Sequence, residues 1–168
     1  VIIGAGAAGL MCAATAGGRG RKVAILEHGD RIGRKLLVSG GGRCNFSNLS
    51  VSGGDYITGS PEFVDRVLES FDPDIIFGIL KAYKISYYEK EAGQLFCKQP
   101  SKVLLSALRK ECEKGGARIF RGLEITDLKK EMSFLIGTSQ GVFETGSLVV
   151  ATGGLSYRRL GASDLGHK

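Results

Sequence analysis

The apolar positions near the start of the chain form two continuous runs separated by an alanine-rich segment. Val1–Ile3 and Val23–Leu26 are runs of the kind found in strands that are covered on both faces. Ala7–Ala16, which lies between them, has the composition that favours a helix. This order predicts a strand–helix–strand unit.

Two amphipathic helices are predicted further along the chain. Ser60-Pro61-Glu62 and Asp72-Pro73-Asp74 each place a capping side chain before a proline, which is typical of a helix start. Apolar residues then recur at i, i+3, i+4 and i+7 and predict one buried face on each helix. These faces consist of Val64, Val67, Leu68 and Phe71 in the first helix and of Ile76, Ile79, Leu80 and Tyr83 in the second.

The second half of the chain is richer in predicted strands. Ile85–Tyr88 and Gln94–Cys97, joined by a loop that contains Gly93, predict a hairpin. Ser101 is placed to cap a helix that Gly115-Gly116 ends. The inner face of this helix is predicted to comprise Leu104, Leu105, Leu108 and Cys112. Five further strand segments follow, with the sequences ARIF, LEITDL, SFLIG, GVFE and SLVVAT.

Composition narrows the class of protein only slightly. A length of 168 residues with 43% hydrophobic residues suffices for one globular domain with a core. The net charge of +6 favours an anionic partner, without separating a nucleotide, RNA and a membrane surface. Val1–Gly18 is uncharged, but its five glycines and the absence of a preceding basic segment argue against a membrane span or a signal peptide.

The cysteines and histidines give little support to a metal site. Cys12, Cys44, Cys97 and Cys112 lie far apart, without a C-x-x-C pair, and the chain has only two histidines. Cys12 and Cys112 fall on predicted inner helix faces, where we expect them to belong to the core. A reducing cytoplasm fits this cysteine usage.

Gly4-Ala5-Gly6-Ala7-Ala8-Gly9 has the G-x-G-x-x-G spacing of a dinucleotide-binding turn. It follows a predicted strand and opens a helix, and the second strand ends in Glu27, 18 residues after Gly9. Gly4 permits a sharp turn, Gly6 lets a pyrophosphate approach the backbone, and Gly9 lets the helix lie close to the strand. The helix start attracts phosphates, while the Glu27 carboxylate accepts ribose hydroxyl hydrogens and repels the 2′-phosphate of NADP. A glycine-rich turn without a ligand is the alternative.

A second candidate site is the sequence LVVATGG, Leu148–Gly154. Ala151, Thr152 and Gly153 are small residues at the end of a predicted parallel strand, where open α/β sheets bind their ligands. A strand followed by an ordinary turn is equally compatible with this segment. Combined with the first motif, it resembles the FAD-binding arrangement of two-dinucleotide-fold flavoproteins. We therefore expect an α/β fold with a Rossmann-like FAD/NAD(P)-binding domain, a parallel sheet and a smaller β-rich excursion.

Four segments together resemble one family. They are IIGAGAAG, GRKLLVSGGGRCNFSN (Gly33–Asn48), GQLFC (Gly93–Cys97) and VVATGGLSYRRLGAS (Val149–Ser163). Their order resembles that of the bacterial aminoacetone-oxidase-like, or BaiN-like, FAD flavoproteins, above all the subgroup assigned to dihydrouridine synthesis in large-subunit ribosomal RNA. Arg158-Arg159 replaces the Pro-Gly pair usual in that subgroup. Because members are much longer, the resemblance implies that residues 1–168 are the amino-terminal part of the FAD-binding domain, without the inserted and carboxy-terminal parts.

The glycine-rich block carries the most specific expectations. Gly40, Gly41 and Gly42 lose backbone entropy on folding and pack nothing, which favours a close neighbour on the backbone. The resemblance implies that this neighbour is the isoalloxazine ring or the substrate stacked on it. Arg43 and Lys35 are then candidate cations beside the reduced flavin. Without the resemblance, Arg43 is equally a surface charge.

Three further residues are expected to take part by resemblance. Reduction of uracil needs a hydride at C6 and a proton at C5, and Cys44 is a candidate donor of that proton. Asn45 is a candidate hydrogen-bond partner in the same motif, and Ile125 is a candidate contact to adenine. The alternatives are a small buried hydrophobe for Cys44 and an ordinary strand start for Ile125.

The leading hypothesis is a fragment of an FAD-dependent oxidoreductase whose full-length parent reduces a uridine in ribosomal RNA, with NAD(P)H as the hypothesised reductant. The first alternative is a flavoenzyme acting on a small molecule, either an amine oxidase or an alkene reductase. The second is a cofactor-binding fragment without catalytic activity.

Overall fold

The computed structural model describes residues 1–70 and 74–154. Its strands are β1 (Ile2–Ile3), β2 (Ala24–Glu27), β3 (Asn45–Asn48), β4 (Tyr87–Glu89), β5 (Gln94–Cys97), β6 (Arg118–Arg121), β7 (Ile125–Lys130), β8 (Phe134–Thr138), β9 (Gly141–Thr145) and β10 (Val149–Val150). Its helices are α1 (Ala7–Gly18), α2 (Arg34–Gly42), α3 (Pro61–Ser70), α4 (Asp74–Ala82) and α5 (Ser101–Lys114). The chain divides into two units, Val1–Leu37 with Leu108–Lys168, and Val38–Ala107.

A parallel sheet of four strands, in the order β10-β1-β2-β6, forms the centre of the first unit. Ile2 of β1 pairs with Ile25 on one side and with Val149 on the other. The chain adds β2 and then β6 on one side of β1, whereas β10 lies on the opposite side. The strand order therefore reverses between β1 and β10, and such a switch point opens a crevice at the carboxyl ends of the strands. The predicted strand–helix–strand unit is confirmed.

An antiparallel sheet, in the order β7-β8-β9, completes the core of the first unit. Ile3 and Leu26 of the parallel sheet form one buried cluster with Leu123 and Ile136. Elsewhere in the unit α1 packs against α5, and the Cys112 thiol donates a hydrogen bond to the Leu10 carbonyl (3.2 Å). Cys112 is therefore a core residue, as its helical position predicts.

The second unit contains the antiparallel sheet β3-β5-β4 and the helices α3 and α4. The predicted hairpin is present, because β4 pairs with β5 in antiparallel register. Phe46, Phe77 and Tyr87 form a cluster of rings with centroids 5.5–6.1 Å apart. On α4, Ile76 and Leu80 are buried as the helical spacing predicts.

The predicted buried face of α3 is wrong. No residue of α3 is buried, and Val67 is 50% exposed. The helix packs instead on the glycine turn before it, where the Gly53 N–H donates to the Asp65 carboxylate (2.6 Å) and a Cβ atom on Gly53 would lie 2.5 Å from the Pro61 carbonyl oxygen. Phe71 and the Asp72-Pro73 start of the next helix lie outside the described residues.

The part of the chain that the structure describes contains no helix long and apolar enough to cross a membrane.

Adjacent glycines at the end of α1 predict opposite effects on stability. A Cβ atom on Gly17 would lie 2.6 Å from the Gly115 carbonyl oxygen, whereas one on Gly18 would meet no described atom within 4 Å. We expect Gly17→Ala to lower the free energy of unfolding by about 1–3 kcal/mol through overpacking. Gly18→Ala, the matched control, should leave it unchanged or raise it slightly, because alanine favours a helix. Urea denaturation measures both, and equal midpoints for the two variants would contradict the predicted contact.

Candidate functional site

A groove opens in the first unit at the carboxyl ends of β1 and β10. Its volume is about 410 Å³, within the range of ligand pockets in proteins. It lies at the switch point of the parallel sheet, where α/β proteins bind their ligands. Its lining consists of Ile3, Gly4, Gly6, Ala7, Ala8, Leu26, Glu27, His28, Arg31, Gly33, Arg34, Lys35, Leu36, Ile125, Val150, Ala151, Thr152 and Gly153.

The three glycines of the GAGAAG turn have different surroundings. Gly4 has φ +104°, and a Cβ atom there would lie 2.5 Å from the Ala151 carbonyl oxygen. A Cβ atom on Gly9 would overlap the Gly4 carbonyl oxygen. Apart from its chain neighbours, no described atom lies within 4 Å of a Cβ atom built on Gly6. Gly4 and Gly9 therefore meet packing requirements, while Gly6 leaves open space beside the groove.

The start of α1 suits an anion. Gly6 is the N-cap residue, and among the described residues no side chain caps this helix. Ala7 and Ala8 are exposed and line the groove, and the first turn contains no acidic residue. Main-chain N–H groups at a helix start attract negative charge, and the helix dipole strengthens the attraction.

Glu27 places a carboxylate at the end of β2, beside the same groove. The residue is only 7% exposed, and its carboxylate accepts hydrogen bonds from the N–H groups of Ala5 (2.8 Å) and Gly29 (2.8 Å). Nδ1 of His28 lies 3.1 Å from Oε1. Because an ionised carboxylate has about four lone-pair sites, these three partners leave room for a further donor. Glu27 thus holds the glycine turn in place and still faces the groove.

Lys35 brings a cation to the end of β10. Its Nζ donates to the Gly154 carbonyl oxygen (2.7 Å) and lies 3.0 Å from the position of a Cβ atom on Gly153. Ile125, at the start of β7, lines the groove as well. The structure therefore gathers Lys35, Ile125 and the ATG segment with the glycine turn and Glu27.

Sequence analysis missed three basic side chains of the groove. His28, Arg31 and Arg34 line it, and Nη2 of Arg34 donates to the Asp30 carboxylate (3.1 Å). Their signal was available in the sequence, since all three follow Glu27 within seven residues. The loop after a strand that ends in a ribose-binding acid lies at the carboxyl edge of the sheet, where a bound nucleotide would be.

The glycine block belongs to the second unit. α2 ceases to be helical at Ser39, and Gly40, Gly41 and Gly42 have φ values of +57°, +63° and +84°. A Cβ atom on Gly40 would lie 2.6 Å from Cε1 of Phe96, whereas one on Gly41 would meet no described atom within 4 Å. The Phe96 ring thus explains why the first of the three positions is glycine. The role of the block toward a flavin stays a prediction.

Arg43 and Cys44 are held by the main chain of the second unit. Nη1 of Arg43 donates to the Lys98 carbonyl oxygen (3.0 Å), and the side chain is exposed. Cys44 has φ +52°, is 4% exposed, and shares a side-chain hydrogen bond with Ser39. Burial raises the pKa of the Cys44 thiol. The thiol therefore stays protonated near neutral pH and is suited to donate a proton rather than to act as a nucleophile.

Asn45 and Cys97 lie next to this thiol in the sheet. The Asn45 amide nitrogen donates to the carbonyl oxygens of Leu95 (3.2 Å) and Ser47 (3.1 Å). The Cys97 N–H donates to the Cys44 carbonyl oxygen (3.2 Å). The predicted catalytic residues Arg43, Cys44 and Asn45 are thus consecutive in the chain and lead into β3, which pairs with β5. Their roles remain predictions.

The sequence places this chain in a family. Residues 1–168 match the HI0933-like protein Rossmann domain, and the chain belongs to that family. It is 41% identical to a ribosomal RNA dihydrouridine synthase of Escherichia coli strain K12 and 38% identical to one of Haemophilus influenzae, over 100% of this chain. It covers 42% and 43% of those proteins, and so spans about two fifths of the length of the curated relatives it matches. A 3-dehydro-bile acid delta(4,6)-reductase of Clostridium scindens is 28% identical over 99% of this chain and 41% of its own length. The predicted family resemblance is confirmed.

Solved structures share the fold at lower identity. NikD, an unusual amino acid oxidase essential for nikkomycin biosynthesis, matches with a TM-score of 0.62 and 16% identity over 92% of this chain and 51% of its own. THI4 of Thermovibrio ammonificans matches with a TM-score of 0.56 and 18% identity over 92% of this chain and 57% of its own. At such identities the likeness establishes the fold alone, and the predicted Rossmann-like α/β class is confirmed.

The buried thiols predict a loss of stability in alkaline solution. Burial raises the pKa of Cys97 and of Cys112 from 9.0 to about 11. Between these values the thiols of the unfolded chain lose protons that the thiols of the folded chain keep. The contribution of the protonated thiols to the free energy of unfolding is therefore intact below pH 9 and is lost as the pH rises to 11. We expect the urea midpoint, measured with a reducing agent, to fall less steeply over this range in the double variant Cys97→Ala, Cys112→Ala. Equal slopes for the variant and the unmodified chain would contradict the prediction.

Proposed function

We propose that this chain binds FAD in the groove of the first unit and forms part of an enzyme that reduces a uridine in ribosomal RNA to dihydrouridine. The observation that carries the proposal is the combination, in one groove, of an open helix start at Gly6 and a buried carboxylate at Glu27. A dinucleotide needs both, because its pyrophosphate is anionic and its ribose offers hydroxyl donors.

The groove residues fit the parts of FAD. The open backbone at Gly6 and the first turn of α1 would hold the pyrophosphate, and Glu27 would accept hydrogen bonds from the ribose hydroxyls. Main-chain groups at Ile125 would meet adenine. Lys35 would place a cation beside the flavin, and Ala151–Gly153 would leave room for the cofactor. The buried carboxylate of Glu27 would repel a 2′-phosphate, which favours FAD over NADP in this groove.

Bound FAD, once reduced by NAD(P)H, would supply a hydride for C6 of uracil and return to its oxidised form. Cys44 would donate the proton to C5 and regain one from solvent, so that the C5=C6 bond becomes a single bond. The pKa of this thiol, raised by burial, agrees with a donor that is protonated at neutral pH. Arg43 and Asn45, its chain neighbours, would contact the uracil ring or the flavin.

The names of the relatives support the uridine substrate. The two proteins called ribosomal RNA dihydrouridine synthase are 38% and 41% identical to this chain, whereas the bile acid reductase is 28% identical. The latter supports a small-molecule reductase as the second candidate. Both candidate functions use FAD and differ in the molecule that accepts the hydride.

Two glycine-to-alanine variants, one beside the groove and one at the other end of α1, test FAD binding. We expect the purified chain to show a flavin absorption spectrum and to release FAD on denaturation. Gly6→Ala should weaken FAD binding by at least about tenfold, or ~1.4 kcal/mol, because the added methyl group occupies the open space beside the groove. Gly18→Ala should bind FAD normally, and neither variant should lower the urea midpoint. A folded chain that stays colourless after FAD is added would contradict the proposal.

The uridine substrate and the role of Cys44 are tested by mass spectrometry of dihydrouridine in RNA. Unmodified large-subunit ribosomal RNA is incubated with the enzyme of which this chain forms part, FAD and NADPH. We expect Cys44→Ala to lower the rate of dihydrouridine formation by about 10²–10⁴-fold, the usual effect of losing a general acid. Cys112→Ala, which removes another buried thiol, should keep the rate of the unmodified chain. A normal rate in Cys44→Ala would make this thiol a core residue, and turnover of an activated alkene without reaction on RNA would favour the second candidate.

A further inference from the structure

The antiparallel sheet of the second unit has two chemically different faces. Phe96 of β5 is paired with Asn45 of β3 and with Tyr88 of β4, and directly opposed residues of antiparallel strands share a face. Residues two positions apart share a face as well. One face therefore carries a group of residues that we call the platform, consisting of Asn45, Tyr88, Lys90, Gln94, Phe96 and Lys98.

The opposite face is buried on β5, whereas on β4 it exposes Tyr87 (45%) and the carboxylate of Glu89. Leu95 and Cys97 alternate with the platform residues of β5 and are buried. Tyr87, paired with Cys97, packs with Phe46 and Phe77. The rings of that face thus pack on one another, and Glu89 adds a negative charge to it.

The platform carries a stacked pair of aromatic rings. The rings of Tyr88 and Phe96 stack with centroids 5.9 Å apart and an angle of 27° between their planes. Phe96 is 8% exposed and is covered in part by Gly40, whereas Tyr88 keeps 38% of its surface exposed. Phe96 therefore supports Tyr88 from within the protein, and Tyr88 presents its ring to solvent.

Lysines and amides share the platform with this ring. Nζ of Lys90 lies 5.7 Å from the centroid of the Phe96 ring, and Lys98 is exposed at the end of the same face. The guanidinium of Arg43 is fixed by the Lys98 carbonyl oxygen. None of the six platform residues is acidic, and Glu89 of β4 is opposed to Leu95 and so lies on the other face.

This combination matches unpaired RNA better than a protein surface. Bases of single-stranded RNA stack on exposed aromatic side chains, amide groups bond to the base edges, and lysines neutralise phosphates. Protein interfaces, in contrast, are depleted in lysine. We propose that the platform binds an unpaired stretch of RNA, with a base stacked on Tyr88 and phosphates near Lys90 and Lys98. The proposal rests on the proposed function, since the RNA is its substrate, and adds residues that hold this substrate.

Adjacent tyrosines on opposite faces provide the test. Binding of a fluorescein-labelled, uridine-rich oligoribonucleotide of about 12 nucleotides is measured by fluorescence anisotropy at low salt. We expect Tyr88→Ala to weaken binding by about 5- to 150-fold, the usual effect of losing one stacked base. Tyr88→Phe should retain the affinity because it keeps the ring. Tyr87→Ala, which removes an exposed ring from the opposite face, should retain it as well, and circular dichroism verifies that each variant is folded.

The salt dependence tests the lysines separately. Lys90→Ala should reduce the slope of log K against log[salt] by about one, whereas Lys81→Ala, an equal change of charge on α4, should leave it unchanged.

Three outcomes would contradict the proposal that the platform binds RNA. They are the absence of RNA binding by the unmodified chain, equal affinities for Tyr88→Ala and Tyr87→Ala in folded proteins, and equal competition by heparin in the unmodified chain and in Tyr88→Ala. The last result would mean that charge alone attracts a polyanion.

Dihydrouridine formation separates the two proposals. If Tyr88→Ala formed dihydrouridine with unchanged affinity for RNA, the platform would be wrong and the proposed function would stand. If the unmodified chain bound the oligonucleotide through Tyr88 but the enzyme of which it forms part made no dihydrouridine, the reverse would hold.

Discussion

The first unit depends on three main-chain segments that approach one another more closely than side chains allow. A Cβ atom on Gly4 would meet the Ala151 carbonyl oxygen, and one on Gly9 would meet the Gly4 carbonyl oxygen. The end of β1, the start of α1 and the end of β10 can therefore pack together only with glycine at these two positions. This packing brings the open helix start and the small residues after β10 to one groove.

Glu27 adds an electrostatic constraint to this packing. A buried carboxylate is costly unless it is hydrogen-bonded, and the N–H groups of Ala5 and Gly29 meet that need. The same two bonds tie the glycine turn to the loop after β2, from which His28, Arg31 and Arg34 reach the groove. One acidic side chain thus positions part of the groove and remains available to a ligand.

The second unit shows how a single motif can serve packing and surface chemistry at once. Gly40 makes room for the Phe96 ring, which in turn supports the exposed ring of Tyr88. Cys44 lies buried one residue before Asn45, with a backbone conformation that favours glycine. The glycine block was interpreted from the sequence as a surface for a ligand. For Gly40 the closest neighbour is a side chain of the protein itself.

Features that depend on local chemistry were predictable from the amino-acid sequence. The turn at Gly4–Gly9, the ends of α5 and the hairpin of β4 and β5 follow from glycine positions, helix signals and alternation along a few residues. Three other features emerge only from long-range packing: α3 has no buried face, Glu27 bonds to Ala5, and Asn45, Phe96 and Tyr88 form one row. These relations join residues distant in the chain, and strand register and helix packing set them through contacts that no local pattern encodes.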